Sequence, residues 1–492
     1  MSVPQSLAAE GFALSDSSIS WLAGILFDPW STLALVLDIA MACMVTVHVL
    51  LRKRDIGSAT GWIGLAWLSP FLGGAIYFLL GINRVRRRAR ELRDPLPAKG
   101  PGFLVAGSGR DDHLAALDRA AAIITGRPAL HGNMITPLSN GDAAYPLMLA
   151  AIDGAKSSIG LCSYILRDDA AGGLFIDALA RALARDVAVR VLIDGIGSGY
   201  FSSPAYRRLR REGVPAERFM HSLLPWRMPF LNLRTHKKIL VVDGTSAFTG
   251  GINIGAENVQ ALRTPYPVLD THFAVTGPVV GQLVEAFADD WLLQTDETLA
   301  GPAWFPALTE TGQQTVRVVT AGPDQDVEKI EFVVLMAITC ARRSVTVMTP
   351  YFLCDDKLVS ALSLAALRGV DVDLIIPAQS NHRLLDCAMR ANIGPLVASG
   401  CRIWKNPPPF DHSKLMVVDG TWALIGSTNW DTRSFRLNFE LDLEVYSTDL
   451  AEILESRMLS KCTERLTAEE LAGRSISIRV RDAGLRLLLP YL

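Results

Sequence analysis

Two stretches of this chain carry the same polar residues at the same intervals. The first reads His236-Lys237-Lys238, runs through Ile239-Leu240-Val241-Val242 to Asp243, and resumes at Gly250-Gly251-Ile252-Asn253. The second reads His412-Ser413-Lys414, then Leu415-Met416-Val417-Val418 and Asp419, and resumes at Gly426-Ser427-Thr428-Asn429. Both fit H-x-K-x4-D-x6-G-[GS]-x-N, and every gap is identical in the two copies. These residue types suit chemistry at a phosphodiester. Imidazole, with an unperturbed pKa of about 6.5, can be a nucleophile when neutral and an acid when protonated near neutral pH. Lys238 and Lys414 would place positive charge against phosphoryl oxygens, and Asn253 and Asn429 would add directional donors as phosphate-binding groups. The small residues before each Asn let backbone approach a phosphate. If the copies face one another across a pseudo-twofold axis, all six side chains converge on one cleft. One histidine then attacks phosphorus while the other protonates the leaving alcohol, dividing one difficult step into two. A single H-x-K is usually a solvated surface pair; two intact copies argue for catalysis over a non-enzymatic binding scaffold.

The branched apolar residues between His and Asp predict a buried strand, on which His236 and Lys238 share a face, as do His412 and Lys414. Asp243 and Asp419 complete the catalytic motif and end their strands, where they also read as architectural residues tying down the following turn. Farther on, Asp270 in Leu269-Asp270-Thr271-His272 and Glu440 in Phe439-Glu440-Leu441-Asp442 occupy matching places. They are expected to orient His236 and His412 respectively, each by the ring nitrogen facing away from phosphorus. The other histidines (His48, His113, His131, His221, His272 and His382) read as structural.

The repeat extends upstream of the motifs. Ala155-Lys156-Ser157-Ser158, Tyr164, Asp168-Asp169, a helix-like run to Ala184 and the strand Val189 to Ile193 match a second set. That set is Ala341-Arg342-Arg343-Ser344, Tyr351, Asp355-Asp356, a run to Leu367 and the strand Val372 to Ile376. Strand, helix and strand in this order predict α/β halves whose sheets are covered by helices. Half of the residues are hydrophobic and mean hydropathy is +0.26, above what an ordinary soluble enzyme shows. The net charge of −2 weighs against a nucleic acid partner. The seven cysteines are scattered without C-x-x-C spacing and read as reduced packing residues.

Two apolar runs, Leu33 to Leu51 and Ile56 to Ile82, predict a hairpin of two transmembrane helices, each matching a hydrocarbon layer of about 30 Å. Pro70, Gly73 and Gly74 should kink or loosen the second. Basic residues flank both runs: Arg52, Lys53 and Arg54 between them, then Arg84, Arg86, Arg87, Arg88 and Arg90. Two full crossings would put these clusters on opposite faces, although positive charge favours the cytoplasmic side for both. A shallow re-entrant hairpin reconciles them. The larger cluster favours a cytoplasmic catalytic domain, whereas the basic connector behind an N-terminal stretch without Lys or Arg argues the other way. The chain divides into an N-terminal segment (1–30), a membrane hairpin (31–83), a basic linker (84–127) and two halves (128–300 and 301–492).

At these residues the sequence resembles the phospholipase D superfamily, whose signature is the paired motif, and within it the bacterial cardiolipin synthases. The stretches Gly61-Trp62-Ile63, Ser69-Pro70-Phe71-Leu72-Gly73 and Gly81-Ile82-Asn83-Arg84 resemble the N-terminal module of those enzymes. Asn429-Trp430-Asp431-Thr432-Arg433-Ser434-Phe435 and Asn438-Phe439-Glu440 resemble their catalytic part. The resemblance runs from about residue 30 to the C-terminus. It implies two mixed-sheet halves sharing one site, and a covalent phosphohistidine formed without metal or cofactor. It also implies transfer of a phosphatidyl group between two phosphatidylglycerol molecules, at a bacterial inner membrane. In many members of that superfamily the first histidine attacks, which points to His236. Hydrolysis by a membrane-bound phospholipase D is the alternative, and a membrane-tethered nuclease a more distant one. The sequence sets no oligomeric state.

Overall fold

The computed structural model describes residues 29–52, 56–78, 107–221, 233–323 and 326–486. The N-terminal segment, most of both basic clusters, the Gly81–Arg84 stretch and an aromatic stretch at 223–231 lie outside the described residues. The chain forms two units, residues 1–84 and 85–492.

In the first unit, α1 (Pro29–Arg52) is followed by α2 (Ile56–Leu68) and α3 (Pro70–Ile76). Only α1, over Thr32–Arg52, is long and apolar enough to cross a membrane among the described residues. The expected second crossing is instead two short helices. Pro70 cannot donate to the helical ladder, and Ser69 leaves helical geometry at φ −151°, ψ 79°.

The second unit is built on one 16-stranded sheet. The first half supplies β1 (Leu130–Ser139), β2 (Ser158–Ser163), β3 (Ala188–Asp194), β4 (Ala216–Phe219), β5 (Ile239–Val242), β6 (Ser246–Gly250) and β7 (Thr271–Thr276). The second half supplies β8 (Gln314–Ala321), β9 (Ser344–Met348), β10 (Asp371–Pro377), β11 (Arg402–Asn406), β12 (Leu415–Val418), β13 (Trp422–Gly426) and β14 (Asn438–Tyr446). β1 and β8 pair antiparallel at the centre. Outward from them the orders are β1-β7-β6-β5-β2-β3-β4 and β8-β14-β13-β12-β9-β10-β11. Seven strands on each side of the centre therefore match, as the repeat predicts. Glu464–Leu466 beside β11 and Arg234–Thr235 against β14 complete the sixteen, and the halves merge into one body rather than two separate domains.

Strand alternation builds the cores. Ile239 and Val241 of β5, with Leu415 and Val417 of β12, enter one core shared by both halves. Leu240 and Val242 face a core belonging to the first half, and Met416 and Val418 face one belonging to the second. β5 and β12 are thus buried on both faces, which is why they read as unbroken apolar runs.

The linker assigned to 84–127 needs correction at its C-terminal end. Ala115–Thr125 is a helix, and Leu114, Leu117 and Ala121 lie in the second half's core. Its Asp118 meets the fully buried Arg317 of β8, which also donates to Glu444 of β14 at 2.6 Å. A buried guanidinium held between two carboxylates fixes this helix in place.

Candidate active site

The regular ladder of each motif begins only after its lysine, at Ile239 and Leu415. Just upstream, the chain leaves its own half. Arg234–Thr235 pairs parallel with Asn438–Phe439 of β14, and the His236 N–H donates to Phe439 O at 2.8 Å. In mirror fashion Phe410–Asp411 pairs with Val268–Leu269, and the His412 N–H donates to Leu269 O at 2.7 Å. Each histidine is therefore delivered to the carboxylate of the opposite half.

This overturns the expected partnering of histidine and carboxylate. His236 Nδ1 lies 2.9 Å from Glu440 Oε2, and His412 Nδ1 lies 2.9 Å from Asp270 Oδ2. The pairs are crossed because a backbone ladder, not sequence proximity, sets which strand end each histidine reaches. Glu440 also accepts from Ser427 Oγ at 2.6 Å and Asn438 Nδ2 at 3.0 Å, while Asp270 accepts from the Thr271 N–H at 2.7 Å. With both Nδ1 atoms engaged, both Nε2 atoms are left for substrate. The imidazole rings stand 6.4 Å apart at 81°.

The lysines share the cleft. Lys238 Nζ donates to His236 O at 2.8 Å, and Lys414 Nζ lies 2.7 Å from His412 Nδ1 and donates to His412 O. Lys237, between the motif residues, points the other way and donates to Asp290 at 2.9 Å. Burial, reinforced by the lysines, holds both histidines well below their ordinary pKa. Burial also lowers Lys238 to about 7 and Lys414 to about 8, and raises Asp270 to about 6 and Glu440 to about 7. Every charged form here has lost water, and an anionic phosphodiester between the lysines would restore their ionisation.

The asparagines differ. Asn429 Oδ1 is buried without a partner, whereas Asn253 Oδ1 accepts from the Ile165 N–H at 3.2 Å. Tyr164 and Tyr351 flank the histidines, with ring centroids 5.0 Å from His236 and 6.3 Å from His412. The repeat contained both tyrosines, but only the structure sets them against the site. Ser427 and Asn438, which hold Glu440, were also unassigned by the sequence reading; Ser427 is the variable [GS] position of the motif.

Asp243 and Asp419 are not in this cleft, which corrects their catalytic assignment. They sit at the far ends of β5 and β12, five residues or about 16 Å along the strand from the lysines. Asp243 accepts from the N–H groups of Lys156, Ser157 and Ser158 at 2.7–3.0 Å. Asp419 does the same for Arg342, Arg343 and Ser344 and also meets His113 Nε2 at 2.7 Å. Both have positive φ, 51° and 54°, and precede Gly244 and Gly420, also positive, in Asp-Gly hairpin turns. They tie the start of the neighbouring strand to this turn. Replacing either by alanine is expected to lower stability by about 2–4 kcal/mol, since three N–H groups lose a charged acceptor. Thermal unfolding, measured beside the KM of the folded enzyme, should show a lower Tm and an unchanged KM.

A sheet of two matched halves, with paired histidines and lysines where they meet, defines a phosphodiester-transfer enzyme of the phospholipase D type. A family model described as "Cardiolipin synthase, PLD-like domain" matches residues 148–291 and 334–461, and a phospholipase D-nuclease N-terminal model matches 40–81. The cardiolipin synthase of Geobacillus kaustophilus is 31% identical over 474 residues, covering 92% of this chain and 93% of the relative. That of Geobacillus sp. strain WCH70 is 32% identical over 472 residues, covering 93% and 94%. Among solved structures, the phosphatidylserine synthase of Haemophilus influenzae has the same fold. Its TM-score is 0.60 at 16% identity, over 76% of this chain and all of that one. The chain belongs to the cardiolipin synthase family of the phospholipase D superfamily, and is a phosphatidyltransferase acting on phospholipid at a membrane.

Proposed function

We propose that the enzyme transfers a phosphatidyl group from one phosphatidylglycerol to another, and that the crossed histidine–carboxylate pairs carry the reaction. The His236 Nε2 attacks phosphorus of the first lipid. The bond from phosphorus to the head-group glycerol oxygen breaks, and His412 gives that oxygen a proton. A second phosphatidylglycerol then binds, its primary hydroxyl loses a proton to His412, and its oxygen attacks phosphorus. The phosphorus–nitrogen bond breaks, leaving cardiolipin and a free His236. Glu440 and Asp270 hold the rings and stabilise whichever imidazolium forms. Lys238, Lys414 and the Nδ2 groups of Asn253 and Asn429 stabilise charge on the phosphoryl oxygens. No step requires a metal or cofactor. In this reading the catalytic unit works on the cytoplasmic side of the inner membrane.

Purified enzyme in detergent with labelled phosphatidylglycerol and EDTA tests this reading. Cardiolipin with released glycerol is the expected product. Phosphatidic acid alone would mean that water is the acceptor, and no turnover would point to another phosphodiester.

His412, which must carry a proton as the acid, and the two lysines together form the alkaline side of the pH profile. A lysine with lowered pKa is cationic below that value and loses its charge as pH rises through it. The kcat/KM of the free enzyme is therefore expected to fall as pH rises through about 7 to 8. At saturating lipid, kcat should hold to higher pH, because the bound phosphodiester keeps both lysines protonated.

A further inference from the structure

The three helices of the N-terminal unit record the path of the chain through their contacts. Gly73 of α3 lies so close to α2 that a Cβ there would meet the Leu65 carbonyl oxygen and stand 3.2 Å from Ala66 Cα. Tyr77, just past α3, packs edge-on against Trp62 with ring centroids 5.2 Å apart. Contacts that advance from 73 to 77 while retreating from 66 to 62 make α3 antiparallel to α2. Against α1 the order is reversed. A Cβ on Gly74 would stand 2.7 Å from Met41 Cγ, and the Tyr77 hydroxyl is 2.7 Å from His48 Nδ1. α3 therefore runs in the direction of α1, and Tyr77 reaches the level of His48, about one helical turn from Arg52.

We propose that this unit crosses the membrane once, through α1, and that α2 and α3 form a re-entrant pair that enters and leaves on the Arg52 face. The bend is suited to hydrocarbon. Ile56 to Phe78 contains no charged residue, and at the bend Leu68, Phe71 and Leu72 are 88%, 53% and 62% exposed. Met41, beside Gly74, precedes Arg52 by 11 residues. That is about 16 Å of helix, or half of a ~30 Å hydrocarbon layer. Few backbone groups are opened by the break. The Ser69 N–H donates to Leu65 O at 3.0 Å, the Gly73 N–H to Ser69 O at 2.6 Å, and Pro70 has no N–H to satisfy. The Trp67 indole is satisfied by Thr46 Oγ1 at 3.1 Å.

The consequence is that Arg52-Lys53-Arg54 and the arginines of 84–90 emerge on one face instead of two. The positive-inside tendency then acts on both clusters in the same sense. It puts the catalytic unit in the cytoplasm and residues 1–28 outside.

Single cysteines introduced into the full chain, as Ser17→Cys, Gly57→Cys and Ala89→Cys, test this with a membrane-impermeant maleimide. Each is made with the exposed Cys43 and the half-buried Cys340, Cys387 and Cys462 replaced by serine; Cys162, Cys354 and Cys401 are buried. Label is expected at position 17 only from outside, and at 57 and 89 only in inverted inner-membrane vesicles. Label on 57 and 89 from opposite faces would overturn the re-entrant path. Label on all three from one face would overturn the single crossing, and label on 57 and 89 only from outside would overturn the cytoplasmic placement. Phospholipid turnover by each variant verifies that the labelled chain is folded.

Discussion

Alanine at His236 or His412 is expected to lower phosphatidyl transfer by about 10^4-fold or more, since each removes a group that makes or breaks a bond at phosphorus. The two losses should be distinguishable. A phosphatidyl ester of a phenol with a low pKa leaves without help from an acid. With it, His412→Ala should still release one equivalent of phenol in a burst and then stall as the phosphohistidine. His236→Ala should give no burst. The reverse pattern would exchange the roles of the two histidines while keeping the site. Both variants should still fold, because the cross-half ladders at positions 236 and 412 are made by main-chain groups that alanine keeps, and cooperative unfolding curves would verify this. The burst arm also separates the covalent path from direct attack by the second lipid, which predicts no burst in either variant.

Much of this architecture was legible in the chain because its signals are local or repeated. The strands expected at Val189–Ile193 and Val372–Ile376 appear as Ala188–Asp194 and Asp371–Pro377, one residue longer at each end. Pro70 foretold the break between α2 and α3, although not the reversal that follows. That reversal depends on Gly73 and Gly74 admitting neighbouring helices, and small residues alone do not say what approaches them. The site was harder. His236 and Glu440 are 204 residues apart, and His412 and Asp270 are 142 apart, so no periodicity connects them. Their pairing follows from two short cross-half ladders, at Arg234–Thr235 and Phe410–Asp411, each too brief to carry a strand signature. The motif aspartates were legible as strand ends that tie down a turn, but their place in the motif also suggested a catalytic role that the structure does not give them. Asp243 and Asp419 have a fixed spacing from the histidines, and a constant interval reads as shared chemistry when it measures the length of a strand.

The crossed pairing makes its own prediction. Glu440→Gln and Asp270→Asn preserve shape and remove charge, and each is expected to cost about 10^3- to 10^4-fold in kcat, as when the carboxylate behind a catalytic histidine is neutralised. The informative readout is which half responds. Glu440 is the largest charged influence raising the pKa of Lys238, and Asp270 is the largest raising that of Lys414. Neutralising Glu440 should therefore move Lys238 further below about 7, and neutralising Asp270 should move Lys414 further below about 8. In both variants the alkaline fall of kcat/KM shifts to lower pH, opposite to what general destabilisation of the fold would produce. Nitrogen-15 spectra of the imidazoles give the direct test. Glu440→Gln should change the tautomer balance of His236 and leave His412 nearly as it was, and Asp270→Asn should do the converse. Each carboxylate acting on the histidine of its own half would mean that the strands exchange partners in solution. The fixed crossing favours a simpler account. Neither half can position its own histidine, so the catalytic pair exists only when both halves of the sheet are joined, and a half expressed alone should bind neither phosphate nor lipid head group at this site.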